Sequence, residues 1–255
     1  MAENREAITL TSNGQKIFGI LHTPAETGKR FPAVLMLHGF GGNKSGKFRL
    51  SVRQAEALSQ AGIASFRFDF RGAGDSEGEF RDTTIDGLCA DARIAMEWLQ
   101  KNPAIDPARI AILGRSLGGA LSVLTAVQFP KIKALALCAP VFDAKPWVDQ
   151  LSNKNPEFEH QGVKLNPTFL KQFASLSTGE ALLQLHHIPL LHVQSKSDKT
   201  IEQYHVENYR TIRAASSAET QFIELEHSDH DFSHQEEQES LLHHTTEWFK
   251  KYMTS

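Results

Sequence analysis

The stretch Ile110-Ala111-Ile112-Leu113-Gly114-Arg115-Ser116-Leu117-Gly118-Gly119-Ala120-Leu121-Ser122-Val123-Leu124 passes from an apolar run through Gly-x-Ser-x-Gly into a helix-like segment. Strand, then this motif, then helix is the order a nucleophile elbow requires. The turn is too sharp for side chains at both flanking positions, so glycines stand there. The serine between them is left exposed at the top of a sheet, with a helix N-terminus aimed at whatever it attacks. Ser116 is therefore the candidate nucleophile.

Working outward, apolar runs and helical periods alternate. Ala7–Thr11 and Lys16–His22 flank the hairpin signal Ser12-Asn13-Gly14. Phe31–Leu37 is a continuous apolar run, Leu50 to Ala61 has helical spacing, and Ile63–Phe68 is the next strand. A helix from about Thr84 to Leu99 presents Ile85, Leu88, Ala92, Ala95, Met96 and Leu99 on one face, with Asp82 or Thr83 as the expected cap. Strand Arg109–Leu113, a helix to about Val127 and strand Ile132–Cys138 follow. From Val141 to His187 the alternation breaks. It resumes with strand Ile188–Val193, helix Glu202–Ala214, strand Thr220–Leu225 and a terminal helix over Gln235–Tyr252. Alternation of this kind implies an α/β fold: a mostly parallel central sheet, helices on both faces, and ligands at the carboxyl ends of the strands. Residues 1–140 and 188–255 are expected to form the core, and 141–187 a small inserted lid above those ends.

A serine hydroxyl needs a base to take its proton. In the chain order Ser, acid, His, the base comes from the loop after the last strand, Glu226-His227-Ser228-Asp229-His230-Asp231-Phe232-Ser233-His234. Three histidines there could also suggest a metal site, but Ser228, Asp229 and Asp231 suit a turn better than a metal-binding helix face, and no companion cluster follows. The acid is expected just past strand Ile188–Val193, at Asp198. Asp143 is a topological rival. An oxyanion hole needs two backbone N–H donors. Leu117, after the nucleophile, supplies one, and Phe40 in His38-Gly39-Phe40-Gly41-Gly42 is placed to supply the other. Read as a phosphate cradle, that glycine loop lacks a Gly-Lys-Ser/Thr end. Asp69-Phe70-Arg71-Gly72-Ala73-Gly74-Asp75-Ser76 reads as a structured turn.

With these motifs in place the chain resembles the α/β-hydrolase superfamily over essentially its whole length. The resemblance rests on His38-Gly-Phe-Gly-Gly, Asp69-Phe-Arg-Gly-Ala-Gly-Asp-Ser, Gly114-Arg-Ser-Leu-Gly-Gly, Ser197-Asp198 and Asp229-His230-Asp231-Phe232. Within it, the chain is similar to bacterial cinnamoyl/feruloyl esterase-like serine hydrolases. The resemblance implies that His230 is the base, that Phe40 and Leu117 form the oxyanion hole, and that a small lid follows the sixth strand. The acid's loop, Gln194-Ser195-Lys196-Ser197, lacks the glycine often found there, and residues 141–187 contain no tyrosine for phenol recognition. Trp147, Phe158, Phe169 and Phe173 are isolated aromatics in the insertion; Trp147, Phe169 and Phe173 are its candidate substrate contacts.

Composition fits this reading. The chain has 255 residues, 40% hydrophobic and 22% charged, with a formal charge of −3. That balance argues against a basic nucleic-acid binder. No apolar run reaches the length of a membrane span, and the N-terminus lacks a signal peptide's apolar core. The two cysteines, Cys89 and Cys138, lie in apolar segments and suggest packed free thiols in a cytoplasmic protein. The expectation is a serine carboxylic-ester hydrolase with no cofactor and no metal. Its partner is a small-molecule ester, and a homodimer is the candidate assembly. Thioesterase, monoacylglycerol lipase and acyl-peptide hydrolase are the enzymatic alternatives. A catalytically vestigial binding module is the alternative from another class.

Overall fold

A computed structural model describes residues 3–26, 28–154, 159–160 and 163–254. Its strands are β1 (Glu3–Ser12), β2 (Gln15–Pro24), β3 (Phe31–Leu37), β4 (Ala64–Phe68), β5 (Ile105–Arg115), β6 (Leu135–Cys138), β7 (Glu159–His160), β8 (Val163–Lys164), β9 (Leu190–Ser195) and β10 (Thr220–Leu225). The α-helices are α1 (Leu50–Gln60), α2 (Ile85–Lys101), α3 (Leu117–Gln128), α4 (Lys145–Lys154), α5 (Pro167–Ala174), α6 (Thr178–Gln184), α7 (Gln203–Arg213) and α8 (Gln235–Met253). Eight strands form one sheet in the order β1-β2-β4-β3-β5-β6-β9-β10. Only β1–β2 and β2–β4 pair antiparallel within it. From β4 across to β10 the strands run parallel.

The central strands are apolar on both sides because helices cover both faces. Every residue of β3, β4, β6 and β9 is buried. The α2 positions expected to face the core, Ile85, Leu88, Ala92, Ala95, Met96 and Leu99, are all buried. Burying side chains of these kinds is worth about 1.5–3 kcal/mol for each of the larger ones, before the entropy of ordering them.

Several details differ from expectation, among them the start of β5 at Ile105 and the span of β9 over Leu190–Ser195. The cap of α2 is neither Asp82 nor Thr83. Those residues belong to a 3-10 turn and its exit, where Thr83 Oγ1 donates back to Phe80 O, so the extended Thr84 takes the Gly87 N–H instead (3.1 Å). β6 begins at Leu135 rather than Ile132, because Ile132 N–H closes a turn on Phe129 O. The stretch between β6 and β9 is not irregular throughout. It holds α4, the β7–β8 hairpin, α5 and α6, with Asn166 capping α5 and Pro167 at its first turn.

Candidate active site

The sheet brings four loops to one edge. Leu37 pairs with Gly114, Arg115 with Cys138, Cys138 with Val193, and Ser195 with Leu225. The carboxyl ends of β3, β5, β9 and β10 therefore carry Phe40, Ser116, Asp198 and His230 to the same side. The order also reverses at β3, which lies between β4 and β5, so the first two of these loops flank the crevice where open α/β sheets bind ligands.

Ser116 has φ 55° and ψ −123°, a conformation that L-residues hold only when their surroundings impose it. Its N–H donates to Cys138 O (3.0 Å), and its own carbonyl accepts from Gly119 N (2.9 Å) and Val141 N (3.2 Å). The flanking glycines are steric necessities. A Cβ on Gly114 would stand 2.1 Å from Ser122 Oγ, and one on Gly118 would stand 2.2 Å from Leu37 O.

The three side chains singled out for nucleophile, base and acid form one hydrogen-bonded row. His230 Nε2 lies 3.0 Å from Ser116 Oγ, and His230 Nδ1 lies 2.8 Å from Asp198 Oδ2. An ionised carboxylate only accepts, so Nδ1 carries the proton and Nε2 is left to accept from the serine hydroxyl. Burial opposes ionisation of Asp198. Hydrogen bonds from His230, Ile201 N (3.0 Å) and Thr200 N (2.8 Å) outweigh it and hold the carboxyl below its usual range. Gln194 Nε2 adds a further donor at 3.1 Å. The rival acid Asp143 is engaged elsewhere: its carboxylate accepts from Lys145 N at the start of α4 (2.9 Å). His227 and His234 face each other, with ring centroids 5.5 Å apart. Asp229 Oδ1 accepts from Asp231 N and Ser233 N, the turn expected of this loop.

The loop after β3 turns at Gly39–Gly42, closed by Gly42 N to Gly39 O (3.1 Å), with Gly41 at φ 63°. A Cβ on Gly39 would lie 3.0 Å from Ser116 Cβ, so only glycine lets this backbone approach so closely. Phe40 follows directly. On the other side, Leu117 N–H opens α3 and has no carbonyl one turn before it to receive it. Both amides expected to hold an oxyanion thus flank Ser116.

Several supporting residues escaped the sequence. His38 accepts from Phe70 N at Nε2 (3.1 Å) and donates from Nδ1 to Gly39 O (2.8 Å), and burial lowers its pKa, keeping the ring neutral. Arg115 Nη2 donates to His230 O (2.9 Å) and Asp231 Oδ1 (2.8 Å). Glu237 accepts from the N–H groups of Glu226, His227 and Ser228 at 2.7–2.9 Å, fixing the stem of the histidine loop. Arg115 and His38 lay inside quoted motifs, the elbow and the glycine loop, but their supporting bonds had no signal in the sequence, and Glu237 had none at all.

The Phe40 ring packs against Phe80 (4.9 Å between centroids), Phe169 (5.2 Å) and Trp147 (6.2 Å). Phe173 completes the cluster against Trp147 and Phe169. Trp147, Phe169 and Phe173 line neither of the two cavities beside the site. Phe158 lies outside the described residues. One cavity, of about 440 Å³, runs from Ser116 and His230 beneath the loop after β3 to Arg67 and Gln54. The other, of about 20 Å³, sits between Phe40, Phe80, Leu88, Leu117 and Leu121. Among the described residues, no group of three His, Cys, Asp or Glu is arranged to hold a metal ion. No described helix is long and apolar enough to cross a membrane.

Two family models match, each over more than half of the chain: one described as "Serine aminopeptidase, S33" over residues 28–158, and one as "Putative esterase" over residues 95–254. The chain is an α/β hydrolase. Among solved structures, this hydrolase is similar in fold to Est1E from Butyrivibrio proteoclasticus with ferulic acid bound, with a TM-score of 0.86 over 98% of this chain and 100% of that one, at 20% identity. The esterase domain of a Rhodothermus marinus protein gives 0.74 over 98% and 99%, at 23% identity. In sequence it is 40% identical over 136 residues to an uncharacterized protein of Mycobacterium tuberculosis, covering 53% of this chain and 45% of that protein. It is 32% identical over 137 residues to the quorum-quenching protein AidA of Acinetobacter baumannii, covering 53% and 44%. The hydrolase spans less than half the length of these curated relatives.

Proposed function

We propose that this α/β hydrolase cleaves carboxylic esters of small to medium acyl or aryl groups through an acyl-enzyme on Ser116. The observation that carries the reading is the unbroken row from Ser116 Oγ through His230 (3.0 Å) to Asp198 (2.8 Å), presented on a strained elbow. His230 takes the serine proton as Oγ attacks the acyl carbon, then returns it to the leaving alcohol. Asp198 holds the imidazole tautomer and stabilises the imidazolium while it exists. The Phe40 and Leu117 amides receive the oxyanion. Water, deprotonated by His230, then releases the acid.

The match to an esterase family model supports an ester substrate. The esterase model spans Ser116, Asp198 and His230 together, whereas the aminopeptidase model ends at residue 158, before the acid and the base. We further propose that residues 141–187 act as a lid, with Trp147, Phe169 and Phe173 bearing on substrate through Phe40. The cavity of about 20 Å³ beside Phe40 is smaller than one ring, so a cinnamoyl or feruloyl group entering there must displace the cluster.

Ser116→Ala should lower kcat on nitrophenyl acetate by on the order of 10³-fold or more with the fold intact. The wild-type protein should be labelled by a fluorophosphonate. Near-normal esterase activity in folded Ser116→Ala protein would end this reading. A panel of nitrophenyl esters, acyl-CoAs and aminoacyl amides separates esterase from thioesterase and peptidase. A vestigial binding module would neither label nor turn over any of them.

A further inference from the structure

The larger cavity is lined by four cationic side chains, Lys44, Lys47, Arg67 and Arg115, with Asp231 as the acid in its wall. Three of the four are already matched. Lys44 Nζ lies 2.6 Å from Asp69 and 2.5 Å from Asp75. Lys47 and Arg115 share Asp231, at 2.5 and 2.8 Å. Arg67 is different. It is 6% exposed, and its hydrogen bonds go to neutral groups: Nε donates to His22 Nε2 (2.9 Å) and Nη1 to Lys44 O (3.2 Å). Nη2 has no hydrogen-bond partner among the described residues, yet it is not among the polar atoms sealed from solvent. Arg67 forms part of the cavity wall, and Nη2 is the guanidinium nitrogen left with donors to spare.

The guanidinium is also held in place. His22 is fully buried, and because its Nε2 accepts from Arg67, its Nδ1 carries the proton and donates to Glu3 (3.1 Å). Glu3 thus orients His22, and His22 orients Arg67, without a carboxylate touching the guanidinium. A buried guanidinium costs free energy unless its charge is met. Here the fold fixes its direction and leaves one donor facing space, the arrangement of a preorganised anion receptor.

Its place suits a substrate. Arg67 pairs with Met36, and Met36 with Leu113, three residues before Ser116. Two strand spacings and three residues put the two Cα atoms about 14 Å apart, and Arg67 and Ser116 line the same cavity. We propose that this cavity is a subsite for a carboxylate borne by the substrate, and that Arg67 Nη2 is the donor that receives it. The substrate class is then the half-ester of a short dicarboxylic acid, or an ester with an acidic alcohol part. Asp69 and Asp75 pair with Lys44, and Asp231 with Lys47 and Arg115, so of the four cations only Arg67 has no carboxylate bonded to it among the described residues. The position of the scissile bond rests on the serine-hydrolase reading, whereas the binding of the anion does not.

The test separates the two. Ser116→Ala protein is titrated calorimetrically with monomethyl glutarate and with dimethyl glutarate at constant ionic strength. The monoanion should bind saturably and the neutral diester at least tenfold more weakly. Arg67→Met should weaken the monoanion by about tenfold to hundredfold, the range for a hydrogen bond to a charged group. In otherwise wild-type protein, the ratio of kcat/KM for nitrophenyl hemiglutarate over nitrophenyl pentanoate should fall by a similar factor on the same change. Arg67→Lys keeps the charge but loses the fork, and should fall in between. It also serves if Arg67→Met does not fold. Equal binding of monoester and diester overturns the proposal, as does an unchanged ratio in a folded Arg67 variant. Anion binding without hydrolysis of any ester by the wild type would sink the esterase reading and leave the subsite standing.

Discussion

His192 sits in the middle of β9, 1% exposed, with neither ring nitrogen hydrogen-bonded to another described residue. Its surroundings are the Tyr209 and Phe222 rings, each 5.1 Å away between centroids. Burial, with a smaller contribution from the Arg210 charge, pushes its pKa down to about 3. Replacing it with leucine, close to it in volume, should therefore stabilise the protein. Each unpaired buried nitrogen costs about 1–3 kcal/mol, and the lost ring contacts return about 0.5–1 kcal/mol of the total, so a net gain of about 1 kcal/mol or more is expected at pH 7.

The effect should grow as the solution is acidified. The unfolded chain takes up a proton at its ordinary value near 6.5, while the folded ring stays neutral down to about 3. Between those limits the unfolded state binds more protons, so native stability falls as pH falls. At pH 4.5 the histidine alone should have cost the wild type about 2–3 kcal/mol relative to neutral pH, and His192→Leu is spared this. His205, pushed down to about 4 mainly by burial, loses stability in the same direction, but equally in both proteins. Urea midpoints at pH 7 and pH 4.5 measure the gap. A gap that is the same at both values, or a leucine variant less stable than the wild type at pH 4.5, would refute the reasoning.

Gly118→Ala should be severe. Its Cβ would lie 2.2 Å from Leu37 O and 2.5 Å from His38 O, both backbone atoms at the root of the loop that carries Phe40. A loss of about 1–3 kcal/mol or more in urea, with kcat on nitrophenyl acetate down at least tenfold, is expected. Arg115→Met removes the donors to His230 O and Asp231 while keeping the apolar stem, and should cost about 1–3 kcal/mol. If Arg115 positions the histidine loop, kcat for a neutral ester should drop about tenfold with KM little changed. A rise in KM alone would assign it to substrate binding.

The sheet was legible because each central strand is a short apolar run set off by turn residues, and α2 because its period is long and clean. Motif and chain order pointed to Ser116, to Asp198 and to the loop that carries His230, and the family resemblance chose His230 among that loop's three histidines. Other features are invisible along a single dimension. Helices α5 and α6 are eight and seven residues long, too short for a period to emerge, although Asn166-Pro167 marked the start of α5. Thr84 caps α2 only because the preceding residues close a turn of their own. The bonds of Arg115 to His230 and of Arg67 to His22 join residues 115 and 45 positions apart, so nothing local announces them. His192 lies in a strand buried on both faces, where alternation gives no hint that a polar residue points inward.

Asp231 shows why the charges around this site cannot be assigned one at a time. It follows His230 in sequence, accepts from Arg115 beside Ser116, and pairs with Lys47 from the loop after β3. One carboxylate thus links the three loops that supply the proposed base, nucleophile and oxyanion donor. Burial opposes its ionisation, but the hydrogen bond from Lys47 and the nearby Arg115 charge keep its pKa low, so it holds its charge at neutral pH. By occupying Lys47 and Arg115 it also removes two competing cations from the large cavity. Arg67 is then the one cation of the four with no carboxylate hydrogen-bonded to it among the described residues. On the proposed reading, the same ion pairs that hold the loops in register also set where a negative substrate group is received. In the proposed enzyme, positioning and specificity are two consequences of one charge arrangement.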